Sequence, residues 1–144
     1  MSFSCDANVL LYASDAASPV HAAALRFLQR AADGDDLLCL AWPTVMSYLR
    51  IATHPRIFAA PLSPTEALSN IEALAGLPHV RVLSEEDGFL AVYRDVTAAL
   101  PVRGNLVPDA HLAAILKQHG VRTLYTRDTD FRKFAFLDVR DPLG

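Results

Sequence analysis

The sequence predicts an α/β fold with a mainly parallel sheet, because short apolar segments alternate with longer amphipathic ones along the whole chain. The length of 144 residues fits one domain, and 52% hydrophobic with 20% charged residues indicates a packed globule, not a disordered chain. No internal repeat, linker or low-complexity tract interrupts the pattern. We therefore expect a single domain over residues 1–144.

Five short apolar segments have the length and composition of buried strands. Each is rich in Val, Leu, Phe or Cys and lies next to a segment typical of a turn or a helix start. Their alternation with helices favours parallel pairing, because a parallel connection requires a crossover. The predicted strands cover residues 3–5, 37–41, 80–83, 123–126 and 137–139.

The longer segments carry apolar residues at the three- and four-residue spacing of an amphipathic helix. In one of them, Ser63 is expected to be the N-cap and Glu66 to complete a capping box. Trp42 and Met46, near the start of another, are expected to pack into the core. The predicted helices cover residues 19–32, 43–53, 63–76, 84–100 and 108–120.

The overall charge gives little support to nucleic-acid binding, since the net charge is −3 and the isoelectric point is about 5.9. A site in which aspartates surround divalent cations is nevertheless not negative once the cations are bound, so the net charge does not exclude nucleic-acid binding. The first residues lack the pattern of a signal peptide, and no apolar run approaches the roughly 20 residues of a membrane span. We therefore expect a cytoplasmic protein, in which Cys5 and Cys39 are reduced and packed.

Four aspartates are predicted to lie at one end of the sheet. Asp6 follows the first strand, Asp128 and Asp130 follow the fourth, and Asp109 lies in the first turn of a helix. The carboxyl ends of strands and the adjacent helix starts converge on one crevice in such folds. Four converging carboxylates repel one another, and a divalent metal ion is the usual remedy.

Each aspartate also has an ordinary structural interpretation. Asp109 can stabilise the positive end of its helix, and Asp128 and Asp130 can be turn residues. Asp6 is harder to explain in this way, because it directly follows an apolar strand, and a buried carboxylate is costly without a cation or hydrogen bonds. The joint pattern therefore favours a metal site over four separate explanations.

Four segments resemble the motifs of PIN-domain nucleases, in the order that this family has them. Residues 6–13 resemble the family's opening motif, in which a strand ends in Asp and a Thr/Ala-Asn pair follows. Residues 104–114 resemble its third acidic motif, and residues 125–131 its Thr-x-Asp-x-Asp-Phe segment. Residues 48–56 are similar to a segment common in bacterial VapC-type toxins. The resemblance thus spans essentially the whole chain.

This resemblance implies a three-layer α/β/α sandwich around a mainly parallel sheet of five strands. It also implies an endoribonuclease that uses Mg²⁺ or Mn²⁺ and is the toxin of a toxin–antitoxin pair. Such a toxin is neutralised by a VapB-type antitoxin, and the resemblance suggests a homodimer. The implied catalytic metal ligands are Asp6, Asp109 and Asp128, with Asp130 as a further ligand or as a partner that supports these ligands. Short polar side chains that orient these carboxylates are implied at two other positions, Asn8 and Thr126.

The sequence departs from the family pattern at Ser47, where many PIN nucleases carry a glutamate. A serine hydroxyl can hold a metal-bound water but is a poorer ligand than a carboxylate, which leaves one or two metal ions open. The alternative function is therefore a catalytically weak PIN domain that acts by binding RNA or its antitoxin.

Arginines near the motifs are candidates for contacts with RNA phosphates, although a solvated surface position explains each of them equally well. These candidates are Arg50, Arg56, Arg103 and Arg127.

Two other functions are disfavoured by single positions. A phosphatase of the haloacid-dehalogenase type needs a carboxylate two residues after the first aspartate, where the chain has Asn8. A receiver domain needs a phosphorylatable aspartate directly after the third strand, and the acidic residues 85–87 are better explained as a helix start.

Overall fold

A computed structural model describes residues 1–144 and contains one parallel sheet of five strands in the order β3-β2-β1-β4-β5. Each neighbouring pair of strands is parallel, and β1 lies at the centre. The prediction of a mainly parallel five-stranded sheet is confirmed. The strands are β1 (Ser2–Cys5), β2 (Leu37–Ala41), β3 (Val80–Leu83), β4 (Thr123–Tyr125) and β5 (Asp138–Arg140).

Six α-helices and one short 3₁₀ helix connect these strands. None of the helices combines the length and the apolar character that a membrane crossing requires. The α-helices are α1 (Ala7–Ser14), α2 (His21–Asp33), α3 (Trp42–Ala52), α4 (Pro64–Ala75), α5 (Phe89–Val96) and α6 (Leu106–Gln118), and the 3₁₀ helix is Thr129–Lys133.

The core is divided between the two faces of the sheet. Successive strand residues point to opposite faces, and β2 shows this directly. Leu38 and Leu40 pack into a cluster with residues of α1, α2, α3 and α4, whereas Cys39 and Ala41 pack into a second cluster with α5 and α6. The molecule therefore has three layers, with helices on both sides of the sheet.

Helix α1 was not predicted. The chain passes directly from β1 into this helix, and the Asp6 side chain caps it by accepting a hydrogen bond from the Val9 amide. The apolar run at residues 9–11 is too short to show a helical period, so the pattern alone gave no element there. In contrast, the capping box of Ser63 and Glu66 is present at the start of α4, as predicted.

The helix predicted over residues 84–100 is shorter than expected, because residues 84–88 form a connection and α5 begins at Phe89. Gly88 has a φ of 80°, a left-handed conformation that interrupts a continuous helix. The Gln118 side chain accepts a hydrogen bond from the Glu86 amide and donates to the Glu86 and Asp87 carbonyls. This tertiary contact holds the segment outside the helix.

The burial predicted for Trp42 and Met46 is wrong, since these side chains are 48% and 56% exposed. The buried face of α3 instead contains Thr44, Val45 and Tyr48. At 100° per residue, Met46 points away from all three, whereas Trp42 lies at the edge of this face and at the first position of the helix. Both cysteines are free and buried, as predicted.

Candidate metal centre

The candidate site forms where the central strands end. Cys5 of β1 pairs with Tyr125 of β4, and the Asp6 amide donates a hydrogen bond of 3.3 Å to the Tyr125 carbonyl. The residues that follow these strands, Asp6 and Thr126, are therefore neighbours although 120 positions separate them. Parallel pairing of β1 and β4 thus joins two of the sequence motifs.

Asp6 is the most enclosed of the four aspartates, with 8% of its surface exposed. Its Oδ2 accepts a hydrogen bond of 2.5 Å from the Thr126 hydroxyl, and its Oδ1 accepts one of 3.3 Å from the Val9 amide. Burial raises the pKa of Asp6, and these hydrogen bonds oppose that rise. The carboxylate is thus fixed in position by the strand end and by the first turn of α1.

The other three aspartates form a compact group in which one carboxylate oxygen of each lies within 4.8 Å of the others. The pKa of Asp109 is raised to about 6, first by burial and then by the charges of Asp128, Asp130 and Asp6. Lys133 opposes this rise. Because the charge of Asp6 also acts on Asp109, the four carboxylates share one electrostatic environment, as the sequence predicted.

The segment after β4 is shaped by its own side chains. The Thr126 hydroxyl accepts a hydrogen bond of 2.9 Å from the Asp128 amide, and Asp128 Oδ1 accepts one of 2.9 Å from the Asp130 amide. Asp130 Oδ1 also lies 3.2 Å from Lys133 Nζ. Thr126 therefore links the Asp6 carboxylate to the backbone of Asp128, which is the geometry expected of a residue that orients ligands.

A cavity of about 210 Å³ contains most of the predicted site. Asp6, Asp109 and Asp128 line it together with Asn8 and Ser47. The Asn8 side chain is exposed and makes no hydrogen bond to a carboxylate, so its orienting role stays a prediction. Asp130 belongs to the compact group of carboxylates but does not line the cavity.

The four candidate arginines do not line this cavity. All of them are exposed, and Arg127 lines a neighbouring cavity of about 200 Å³ together with Asp128. Its Nε lies 4.0 Å from Asp141 Oδ1. Roles in substrate binding therefore stay predictions for Arg50, Arg56, Arg103 and Arg127.

Two residues at the site were missed by the sequence analysis. Thr44 lines the cavity from the first turn of α3, and Lys133 contacts Asp130 from the end of the 3₁₀ helix. Thr44 precedes Ser47 by three residues, a spacing that places both side chains on one helix face. Because Ser47 was already a candidate, this spacing could have identified Thr44 from the sequence.

The donors at this site suit a hard divalent cation. They are carboxylate oxygens, with no cysteine or histidine among them, and Mg²⁺ and Mn²⁺ prefer such ligands. Burial is the main cause of the raised pKa of Asp109, and the charges of Asp128, Asp130 and Asp6 raise it further, a repulsion that a bound cation relieves. The residues present therefore fit a divalent ion.

Comparison with known proteins identifies the family. A protein-family model described as PIN domain matches residues 4–137. This chain belongs to the PIN-domain family. Ribonuclease VapC48 of Mycobacterium tuberculosis is 46% identical to this PIN domain over 144 residues, which cover 100% of this chain and 99% of that protein. The predicted resemblance to VapC-type PIN domains is therefore confirmed.

Two solved structures share the fold over nearly their whole length. The VapBC2 complex from Rickettsia felis, bound to a DNA fragment from its promoter, matches with a TM-score of 0.70 and 12% identity over 98% of both chains. Mycobacterium tuberculosis VapC20, a toxin that cleaves the sarcin–ricin loop, matches with a TM-score of 0.68 and 17% identity over 96% of this chain and 98% of that chain. At these identities the similarity concerns the fold, and it confirms the predicted α/β/α class of this PIN domain.

Proposed function

We propose that this PIN domain is the endoribonuclease toxin of a VapBC-type pair and hydrolyses RNA phosphodiester bonds with a bound Mg²⁺ or Mn²⁺. The observation that carries this proposal is geometric: Asp6, Asp109 and Asp128 line one cavity, and Asp130 lies with Asp109 and Asp128 in a compact group. The chain is also 46% identical to a ribonuclease over its full length. Asp6, Asp109 and Asp128 hold the ion as catalytic ligands, and Asp130 is a further ligand.

The bound ion supplies positive charge that polarises an attacking water and stabilises the phosphate as its charge increases. The chain provides the position of that charge. Thr126 and the Val9 amide fix Asp6, and the turn at Asp128 places the last two carboxylates. Protons compete with the ion for Asp109, so metal binding weakens as the pH falls through about 6.

We also propose that a VapB-type antitoxin binds this chain, by analogy with the VapBC2 complex. The active form is a homodimer in the cytoplasm. The exposed arginines contact RNA phosphates around the site, with Arg127 best placed because its cavity adjoins Asp128.

One observation favours a second candidate function. The chain has Ser47 at the position of the glutamate found in many PIN nucleases, and Ser47 lines the site. A site with fewer charged ligands fits a catalytically weak PIN domain that acts by binding RNA or its antitoxin.

RNA cleavage by the purified protein separates the two functions. We expect cleavage that needs Mg²⁺ or Mn²⁺, stops with a chelator and falls at least about 100-fold in Asp6→Asn. The replacement of a residue that only hydrogen-bonds to a metal ligand already lowers activity or metal affinity about 10–100-fold, and the loss of a ligand should cost more. Asp87→Asn is the matched control, since Asp87 is exposed and lies outside the site. Thermal unfolding checks that both variants fold.

Two results would contradict the proposal. Wild-type protein that cleaves no RNA at any Mg²⁺ or Mn²⁺ concentration would favour the binding-only function. Asp6→Asn protein that cleaves RNA at the wild-type rate would remove Asp6 from the mechanism.

A further inference from the structure

Thr44 is a buried polar residue whose hydroxyl has no partner within the chain. The residue is 4% exposed, lies in the first turn of α3 and lines the cavity of the aspartates. Every fully enclosed side-chain polar atom of the chain has a hydrogen-bond partner. Because the Thr44 hydroxyl has none, it must open towards the cavity, where a ligand can reach it.

Ser47 lies three residues further along the same face of α3 and lines the same cavity. Its hydroxyl also makes no hydrogen bond within the chain. The wall of the cavity formed by α3 therefore presents two unpaired hydroxyls, which can donate hydrogen bonds. The carboxylates of Asp6, Asp109 and Asp128 line the same cavity.

The helix that carries these hydroxyls begins at the cavity. No side chain caps the start of α3, since its N-cap is Ala41. The positive end of the helix dipole is therefore not neutralised by a capping side chain. Hydroxyl donors and a helix start both favour a bound anion.

The aspartates do not supply that anion. Asp6 is already bonded to Thr126 and to the Val9 amide, and no hydrogen bond joins Thr44 or Ser47 to a carboxylate. A cation on the aspartates would neutralise their charge and let a phosphate enter the cavity and reach the two hydroxyls. A second cation against α3 would meet only neutral oxygens and a positive helix end, and it is therefore disfavoured there.

We propose that the Thr44 and Ser47 hydroxyls bind a non-bridging oxygen of the RNA phosphate that is attacked, and that the site holds one resident metal ion. This inference rests on the proposed ribonuclease function and adds the residues that position its substrate. In this chain, α3 contributes a phosphate-binding wall at the place where a glutamate would favour a second ion.

The test uses Thr44→Val and Ser47→Ala, which remove the hydroxyls with little change in volume. We expect KM for the cleaved RNA to rise roughly tenfold or more in each, with kcat nearly unchanged, because a hydrogen bond to a charged group has about that effect. Inorganic phosphate should bind the Mn²⁺-loaded variants more weakly, as measured by ³¹P relaxation. Thr65→Val and Ser69→Ala are matched controls on α4, where both residues are exposed and lie away from the cavity.

Counting bound Mn²⁺ by electron paramagnetic resonance completes the test. We expect one ion per chain in wild type, Thr44→Val and Ser47→Ala, and a second ion in Ser47→Glu. Two ions in the wild type, or Mn²⁺ affinity lost with the Thr44 hydroxyl, would overturn the inference, as would unchanged KM and phosphate affinity. The phosphate and Mn²⁺ measurements need no RNA cleavage, so with an inactive wild type, which would reject the ribonuclease function, they still decide whether the two hydroxyls bind phosphate and whether the site holds one ion.

Discussion

Helix α3 contributes to two polar clusters of opposite character. Near its middle, the Tyr48 hydroxyl lies 2.7 Å from the Ser14 hydroxyl and accepts a hydrogen bond of 3.0 Å from the Asn70 side-chain nitrogen. Closer to its N-terminus, Thr44 and Ser47 line the cavity of the aspartates without a hydrogen bond. The first cluster is neutral and internally matched, whereas the second collects like charges and unpaired donors.

This difference shows which cluster stabilises the fold and which serves a ligand. The Tyr48 cluster joins α1, α3 and α4, and a satisfied hydrogen bond contributes about 1 kcal/mol to stability. The aspartate cluster opposes folding in the absence of a cation, because burial and then the charges of the other aspartates raise the pKa of Asp109. Groups that the fold leaves unsatisfied are those available to metal and substrate.

The largest effect is expected from removing the link between the two halves of the charged cluster. Thr126→Val deletes the hydroxyl that bonds Asp6 and the Asp128 amide, so Mn²⁺ affinity should fall about 10–100-fold. Calorimetric titration measures this, and Thr126→Ser should restore most of the affinity. Thr123→Val, at the other end of β4, is the control. Unchanged Mn²⁺ binding in Thr126→Val would mean that Asp6 and Asp128 hold their positions without it.

An intermediate effect on stability alone is expected from the neutral cluster. Tyr48→Phe removes two hydrogen bonds and should lower the free energy of unfolding by about 1–2 kcal/mol, with no change in Mn²⁺ affinity. Urea denaturation measures the loss. Tyr93→Phe is the matched control, because its hydroxyl makes no hydrogen bond within the chain and it lies outside the site. A change in Mn²⁺ affinity would show that the Tyr48 cluster and the aspartate cluster are coupled.

The smallest effect concerns pH and the metal-free protein. The folded-state pKa of Asp109, about 6, is above its ordinary value of 3.8, so the folded state binds the proton more tightly. Stability is therefore lost as the pH rises from about 4 to about 6, and the penalty is complete above that range. Asp109→Asn should raise the metal-free Tm by a few degrees at pH 7 and leave it nearly unchanged near pH 4.

Saturating Mg²⁺ should reverse the order of Tm values at pH 7, because only the wild type keeps the full set of ligands. Asp33→Asn, an exposed position at the end of α2, is the control. Equal Tm values for Asp109→Asn and wild type at pH 7, with and without Mg²⁺, would show that the carboxylates do not interact as described.

Much of the fold could be predicted because its signals are local. The strands are apolar runs, and the capping box of α4 lies within four consecutive residues, so both are visible in the sequence. Predictions failed where distant residues decide the structure. Gln118 holds residues 86 and 87 outside α5, and the inward face of α3 leaves Trp42 and Met46 exposed.

The sequence by itself determined the chemistry of the site, since residue type and order specify four aspartates after strands and at a helix start in the order of the PIN family. Only the tertiary structure decided which groups meet there. The Thr126 hydroxyl reaches Asp6 because β1 and β4 are neighbours in the sheet, and the start of α3 places Thr44 in the cavity that Asp6, Asp109 and Asp128 line. Hydrogen bonding and charge repulsion act at a few ångströms, and separation along the chain does not specify distances on that scale.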